Sequence, residues 1–421
     1  MIFALYRFVL FPGAWLIFQL GRWIGDDKWR ALLRAKNSGE FHFNRLSPKE
    51  LRARRPLWVH ASSGEIEYAR PVLREWKRRH PDIPLVVTYS SPSAVRILRQ
   101  LAEIDAWGAV PWEFRGSVEK FLRRFEPRAA LVARTDLWPV MADTLRRHDI
   151  PTLMFAATFA ENSSRLRGLS RRLTARSLSA LSELQVVSEE DKQNLGDLSE
   201  RLPVRVSGDT RFDQVFNRLQ NPQSLPAPLK PEGPEKILVA GSTWPEDEAV
   251  LLPAFAAAKN WKMILAPHEV SEERLAALEK KFAEMGLATQ RFSAEGRWTA
   301  PVLLVDRLGV LAELYTWGDL AFVGGSFRRQ VHSVMEPLAA GLRVLVGPFH
   351  LNNREALMFR EEFADQDPLV LPVRDGADMI AALEKPSLLS AQGRDEIRDI
   401  LNLHRGATER VLRWCETVVP N

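Results

Sequence analysis

Short apolar runs rich in β-branched residues recur along the chain, each ending in small or polar turn residues and separated by longer segments with helical spacing. This alternation is the pattern of β and α units, and runs apolar at consecutive positions predict strands covered on both faces, as in a parallel sheet. In the first half the runs are 57–61, 85–89, 129–133, 152–156 and 184–188. The segment NPQSLPAPLKPEGPEK, 221–236, then accumulates prolines, which cannot donate to a helix or sheet ladder, and it reads as a linker. Beyond it the pattern restarts with KILVAGS, KMILAPH, PVLLVD, LAFVGGS and RVLVGP. A chain of 421 residues exceeds what one core usually organises. The expectation is therefore an α/β protein with domains at 26–220 and 237–421. Parallel sheets bind ligands beyond the carboxyl ends of their strands, so two such domains facing each other predict a substrate cleft.

Residues 1–25 are set apart. The stretch IFALYRFVLFPGAWLIFQLGRWI is strongly apolar but interrupted by Arg7, Pro12, Gln19 and Arg22, which leaves it short for an untroubled membrane span. No small-residue cleavage site follows, so it reads as retained rather than as a signal peptide. Tyr6, Trp15 and Trp23 beside basic residues suit a membrane interface, and Lys28, Arg30, Arg34 and Lys36 suit an anionic leaflet. A buried N-terminal helix is the alternative reading.

Charge divides unevenly. Residues 1–220 carry 36 basic against 25 acidic side chains, a net of +11, while the remainder carries 22 against 28, a net of −6. The basic half points toward an anionic partner, whether lipid headgroups, a phosphorylated substrate or nucleic acid, or else to an arginine-rich solvated face. Scattered arginines without interleaved aromatics make a poor nucleic-acid stripe, so no nucleic acid is expected. The single cysteine, Cys415, cannot form an internal disulfide, which favours a reducing compartment. No Cys/His spacing links His60, His268, His332 and His350, all at strand ends, and no metal is expected.

Several strand ends carry residues suited to chemistry. The run LWVHA leads into Ser62, Ser63, Gly64 and Glu65 and then a helical segment, placing Glu65 at a helix start and a strand's carboxyl edge. Read locally, Glu65 suits a first-turn cap as well as catalysis. ARTDLWP, 133–139, also follows a strand, and Thr135, Asp136 and Pro139 are natural helix-start residues. AGSTWPEDE, 240–248, and VGGSFRRQVHS, 323–333, are small-residue turns able to bring backbone amides to a phosphate, or plain tight turns. Neither matches a dinucleotide or P-loop motif. MEPLAAG and GPFHLNNREA follow, with Glu336, Asn352 and Asn353 at the starts of later units.

The order and spacing of these motifs resemble the 3-deoxy-D-manno-octulosonic acid (Kdo) transferase family over nearly the whole chain. WVHASSGE resembles the family's S-x-G-E motif, and TYSSPSA, 88–94, its second-strand loop. ARTDLWP is similar to E-T-E-L-W-P, and SGDTRFD, 207–213, to T-G-N-x-K-F-D. AGSTWPEDE is similar to A-G-S-T-H-x-x-E-E, MILAPHE resembles the strand before the nucleotide site, and VDRLGVLAELYTWGDLAFVGGS follows the family's D-x-x-G-E-L-x-x-L-Y…A-F-V-G-G-S. The resemblance implies two Rossmann-like domains of GT-B type. It implies an inverting transfer from CMP-Kdo, the donor substrate, to a glucosamine hydroxyl of a lipid A precursor, with no resident cofactor. It implies Glu65 as general base, with Asp136 beside it, and an acceptor site at Ser62, Ser63, Gly64, Thr88 and Ser91. Donor contacts are implied for Arg211, Ser242, Thr243, His268, Gly324, Gly325, Ser326, His332, Glu336, Asn352 and Asn353. A last helix crossing back to the first domain, anionic inner-membrane lipids as partners and a place on the cytoplasmic face of the inner membrane follow from the same resemblance.

The chain departs from the pattern at Arg134, which reverses the first acid of E-T-E-L-W-P, and at Asp136, which shortens the second. It departs again at Val310, which follows Gly309 where the family has Glu, and at Gln330 to Ser333, which lack the family's glycines. These departures leave open another nucleotide-sugar enzyme of the same fold, and more remotely a non-catalytic membrane-bound binder.

Overall fold

Two largely parallel sheets, one of eight strands and one of seven, organise the described residues of the computed structural model. Those residues are 2–24, 27–62, 64–222, 224–226, 229, 231, 233–294, 296–329, 331–361, 368–386 and 388–419. The chain divides into two compact units, 1–214 with 404–421, and 215–403.

In the first unit the strands are β1 (Phe41–Phe43), β2 (Leu57–His60), β3 (Leu85–Tyr89), β4 (Ala106–Ala109), β5 (Ala129–Ala133), β6 (Thr152–Ala157), β7 (Glu183–Val186) and β8 (Val204–Val206). Their order is β1-β4-β3-β2-β5-β6-β7-β8, parallel throughout except at the edge pair β1 and β4. Every residue of β2, β3, β5 and β6 is buried, which is why these strands read as nearly continuous apolar runs. Separate apolar clusters fill the two faces of the sheet, one around Trp76, Phe155 and Leu412 and the other around Trp58, Phe125 and Phe159. At the edge, a Cβ on Gly108 would strike the Phe41 ring at 2.8 Å, so the β1–β4 pairing requires glycine there.

The second unit holds β9 (Lys236–Thr243), β10 (Trp261–Pro267), β11 (Thr289–Arg291), β12 (Val302–Leu304), β13 (Leu320–Val323), β14 (Arg343–Val346) and β15 (Val370–Pro372). Their order is β11-β12-β10-β9-β13-β14-β15, all parallel. Its core gathers Leu238, Leu265, Phe282 and Phe322. In each sheet the strand order reverses beside the first parallel strand, between β2 and β5 and between β9 and β13. These are the points where α/β sheets present ligand crevices.

The division differs from the expected one. It falls between Gln214 and Val215, inside the helix Thr210–Gln220, rather than within 221–236. A helix can run through a boundary that prolines mark only nearby. The last helix, Ala407–Val418, folds with the first unit, where Val411, Leu412, Trp414 and Cys415 join the core on one face of the sheet. Asp213 fixes its start by accepting from the Gly406 and Thr408 amides, both at 2.7 Å.

The N-terminal segment is helical through Ile2–Leu5, a π-type turn at Tyr6–Leu10 and Phe11–Ile24. Pro12 does not break it, because the wider turn just before relaxes the ladder the proline ring would otherwise obstruct. Ile2–Gly21 is consequently long and apolar enough to cross a membrane, contrary to the expectation of too short a stretch. One face packs on the unit: Phe11 and Trp15 meet Phe114 ring edges at 5.0 and 5.6 Å, and Phe18 stacks on Trp29 at 4.9 Å. Phe8, Leu16, Ile17 and Leu20 project outward, exposed. The side chains of Arg22, Trp23 and Lys28 lie outside the described ones.

Candidate active site

The carboxyl ends of β2, β3 and β5 bring polar groups together in the first unit. Asp136, in the turn after β5, takes three hydrogen bonds on its carboxylate. His60 Nε2 lies 3.2 Å and Ser90 Oγ 2.9 Å from its Oδ2, and Trp138 Nε1 donates to Oδ1 at 2.8 Å. Behind it, His60 Nδ1 lies 2.9 Å from Thr88 Oγ1, which accepts from Trp58 Nε1 at 2.9 Å. With a neutral imidazole every group is satisfied in one direction: indole to Thr88, Thr88 hydroxyl to Nδ1, and Nε2–H to Asp136. Burial alone would raise the Asp136 pKa, but the bonds from His60, Ser90 and Trp138 outweigh it and hold the carboxyl well below its usual range.

Glu65 sits immediately before the helix Ile66–Arg79, and its carboxylate bonds none of that helix's amides. Its Oε2 instead accepts from the Ser62 amide at 3.1 Å, so the capping reading is replaced by a carboxylate turned back over the loop after β2. Burial pushes the Glu65 pKa up, the Asp136 charge pushes it further, and Arg134, the Ser62 amide and His60 only partly offset them. The result is a carboxylate with more proton affinity than an exposed glutamate, beside one kept ionised. Glu65 therefore suits proton transfer, and Asp136 suits a fixed negative charge.

Arg134 has a left-handed backbone (φ 61°) and donates to Tyr68 Oη at 2.6 Å and Thr158 Oγ1 at 2.7 Å. Arg211 lies over the same Tyr68 ring, 4.1 Å from its centroid, and pairs with Asp209 at 2.6 Å. Tyr68, one turn beyond Glu65, thus anchors two cations in the first unit. The remaining acceptor expectations divide. Thr88 is fully buried and its hydroxyl positions His60. Ser91 bonds Ser93 at 3.0 Å, and Ser62 is half-buried. Gly64 is exposed, with open space where a Cβ would stand. Ser63 lies outside the described residues.

A buried carboxylate supports this arrangement from behind. Glu113 accepts from the Val140 and Met141 amides at the start of the helix Pro139–Arg147, directly after the Asp136 loop. Burial raises its pKa to about 8 against those two bonds, while burial lowers Lys36, near both Glu113 and Asp136, to about 8.

In the second unit the loops after β9, β10 and β13 meet. Trp244 stacks on His268 with centroids 4.4 Å apart, and His268 on His332 at 4.6 Å. Trp244 Nε1 is 3.2 Å from His332 Nε2, and burial, helped by His268, lowers the His332 pKa to about 4. Ser242 adopts a left-handed backbone (φ 56°), strain typical of ligand loops. The Gly-rich turn expected at the phosphate holds several groups bonded within the unit. The Gly324 amide donates to Gly241 O at 2.9 Å, the Gly325 amide to Asp247 Oδ2 at 2.7 Å, and the buried Ser326 hydroxyl to Val323 O at 3.0 Å. A Cβ at Gly324 would collide with the Ser242 carbonyl, so this glycine serves close approach of two strand ends. The Thr243 hydroxyl is likewise committed, to Glu248 at 3.0 Å.

Glu336 lines a separate cavity of about 290 Å³ together with Arg218, Glu313, Ala312, Trp317 and Leu225. Arg218 pairs with Glu313 at 2.7 Å and reaches Glu336 at 3.5 Å. Asn352 donates to Arg329 O at 2.8 Å. Asn353 donates to His332 O at 3.3 Å and caps the helix Arg354–Glu361 through the Ala356 amide at 2.8 Å. Both asparagines thus hold the His332 loop, and Gln330 lies outside the described residues. Ser90, Tyr68, Glu113, Arg218 and Glu313 were not picked out from sequence, and Lys36 was read only as a basic residue facing an anionic leaflet. His60 was weighed only as a metal ligand, although a polar residue closing a buried strand is itself a signal.

Residues 38–214, which contain this whole first-unit constellation apart from Lys36, match the family model described as 3-deoxy-D-manno-octulosonic-acid transferase. The 3-deoxy-D-manno-octulosonic acid transferase of Bordetella pertussis is 28% identical over 85% of this chain and 86% of its own. Residues 38–214 thus carry a Kdo transferase domain, and the likeness to Kdo transferases runs over most of the chain. The Aquifex aeolicus 3-deoxy-D-manno-octulosonic acid transferase is also 28% identical, over 82% of this chain and 88% of its own. Kdo transferases are glycosyltransferases, and this chain is one. Its fold is similar to UDP-GlcNAc 2-epimerase from Neisseria meningitidis, with a TM-score of 0.56 and 16% identity over 87% of this chain and all of that one. It is similar also to MurG from Acinetobacter baumannii, with a TM-score of 0.52 and 11% identity over 86% and 99%. The two-sheet α/β architecture is thus the GT-B type expected.

Proposed function

We propose that this protein moves Kdo from CMP-Kdo to a glucosamine hydroxyl of a lipid A precursor, with inversion at the transferred carbon. The observation that carries the reading is Glu65: a partly buried carboxylate of raised proton affinity at the carboxyl end of β2, held by the Ser62 amide beside the ionised Asp136. Glu65 takes the proton of the acceptor hydroxyl as its oxygen bonds the Kdo anomeric carbon. The bond from that carbon to the CMP phosphate breaks, and its electron pair leaves with the phosphate. Positive charge developing on the sugar is favoured by the fixed charge of Asp136. Arg211 supplies a cation for the departing phosphate. Base catalysis contributes about 10²- to 10⁴-fold.

The second unit holds the donor nucleotide. Ser242, the ring stack of Trp244, His268 and His332, and Glu336 in its cavity are the groups assigned to it, with Asn352 and Asn353 bracing the His332 loop. The N-terminal helix lies along the cytoplasmic face of the inner membrane. Its inner face is packed on the unit over several turns, which leaves Phe8, Leu16, Ile17 and Leu20 for lipid and the basic half for anionic headgroups. The test is to incubate the purified full chain with a CMP-Kdo supply and a tetra-acylated lipid A precursor and to weigh the lipid product by mass spectrometry. Addition of Kdo supports the reading. An unmodified lipid from well-folded, membrane-bound protein overturns it.

A further inference from the structure

Arg134 stands where the family pattern has the first acid of E-T-E-L-W-P, and its surroundings leave its charge unanswered. One terminal nitrogen donates to Tyr68 Oη at 2.6 Å and the other to Thr158 Oγ1 at 2.7 Å, both neutral groups. Among the described residues no carboxylate pairs with it. A guanidinium has five N–H groups, and two are committed here, so the rest of the fork is open to a ligand. Arg211, over the same Tyr68 ring, makes the contrast: Asp209 neutralises it at 2.6 Å.

Two further observations tie this half-buried cation to the site. Its backbone is left-handed, φ 61°, a strained conformation for an arginine and one kept where the direction of a side chain matters. Arg134 opens the turn after β5, Tyr68 lies in the first turn of the helix after Glu65, and Thr158 follows β6. The guanidinium is therefore held at the same sheet edge as Glu65 and Asp136. There it lowers the Glu65 pKa, which by itself weakens the base. A cation that works against the base has a use if an opposite charge arrives with the substrate and offsets it.

Resting on the reading of Glu65 as the base that meets the acceptor, we infer that Arg134 binds an anionic substituent of the acceptor sugar, a phosphate or a carboxylate, beside the hydroxyl that Glu65 deprotonates. The open N–H groups match two oxygens of such a group side by side, a fit that a lysine ammonium does not reproduce. Tyr68 and Thr158 are positioning residues that hold the fork. The bound anion neutralises Arg134 and returns proton affinity to Glu65, so an anionic acceptor prepares its own deprotonation. Arg134 thereby sets acceptor specificity against a neutral sugar.

The test is calorimetry of the full chain in phosphatidylcholine nanodiscs, titrated without CMP-Kdo. The probes are short-chain N-acyl glucosamines: unphosphorylated, phosphorylated, or carrying a Kdo unit whose carboxylate is the anion. At least one anionic probe is expected to bind about 10- to 100-fold tighter than the neutral one, and which of them does so identifies the group. That preference should fall several-fold in Arg134→Lys, disappear in Arg134→Met and reverse in Arg134→Glu. Each ratio is taken within one variant, so a loss of folded protein cancels. An undiminished preference in Arg134→Met overturns the inference, as does the absence of any preference in the parent protein. So does its loss when phosphatidylglycerol replaces phosphatidylcholine, which would assign the fork to bulk headgroups. The experiment needs no turnover. A preference without Kdo transfer leaves this inference standing and removes the transferase reading; Kdo transfer without a preference does the reverse.

Discussion

His60 Nε2 lies 3.2 Å from Asp136 Oδ2, joining the end of β2 to the turn after β5 across the point where the strand order reverses. This bond fixes the aspartate that raises the proton affinity of Glu65. Replacing His60 by alanine frees Asp136 and leaves the Thr88 hydroxyl without its buried acceptor, a cost of about 1–3 kcal/mol. A denaturant titration should register that loss, together with a fall in kcat for Kdo transfer; an unchanged midpoint would remove the positioning role.

The pH dependence of transfer should move in opposite directions in two variants. Glu65 works as a base only when ionised, so its raised pKa sets the acid limb of kcat/KM above the ordinary carboxylate range. Asp136→Asn removes a like charge, lowers the Glu65 pKa and moves the limb to lower pH. Arg134→Met removes a cation, raises that pKa and moves the limb to higher pH, each by up to about one pH unit. Shifts of the same sign would refute the electrostatic account.

Glu113 holds the first turn of the helix Pro139–Arg147 from inside the protein. Glu113→Ala abandons the Val140 and Met141 amides and should cost about 2–4 kcal/mol, whereas Glu113→Gln, which keeps an acceptor, should cost less. Equal losses in the two variants, read from unfolding midpoints, would show that the cap contributes nothing specific. The raised pKa also gives a sign. Below the ordinary carboxylate pKa the contribution is fully present, and it declines as pH rises through about 8, where the buried group ionises.

Asp247 collects the amides of Trp244, Gly325 and Phe327 and thereby shapes the loop between β9 and β13. Asp247→Ala should both destabilise the second unit and weaken CMP binding at least tenfold by calorimetry. Retained affinity would detach the nucleotide from this loop.

The limits of reading the sequence are instructive at particular residues. Strands β2, β3, β5 and β6 were legible because both faces are buried and nearly every position is apolar. Short edge strands such as β1 and β11, with partly exposed positions, carry no such signature. The place of Glu65 after a strand was legible, but read locally it suited a helix cap as well as catalysis, and the role of base was implied only by the resemblance. The His60–Asp136 bond was not, because its partners are 76 residues apart and meet only through strand adjacency. Gly324 and Gly325 illustrate the converse: small residues after a strand suggested an anion site, but tight packing against Ser242 and capture by Asp247 demand them equally.

The central claim is that Glu65 removes the acceptor proton. Its most direct test is the single-turnover rate of Kdo transfer by Glu65→Gln, with fold and CMP binding checked in the same preparation. The account predicts a loss of about 10²-fold or more at unchanged CMP affinity; a rate equal to that of the parent protein would contradict it.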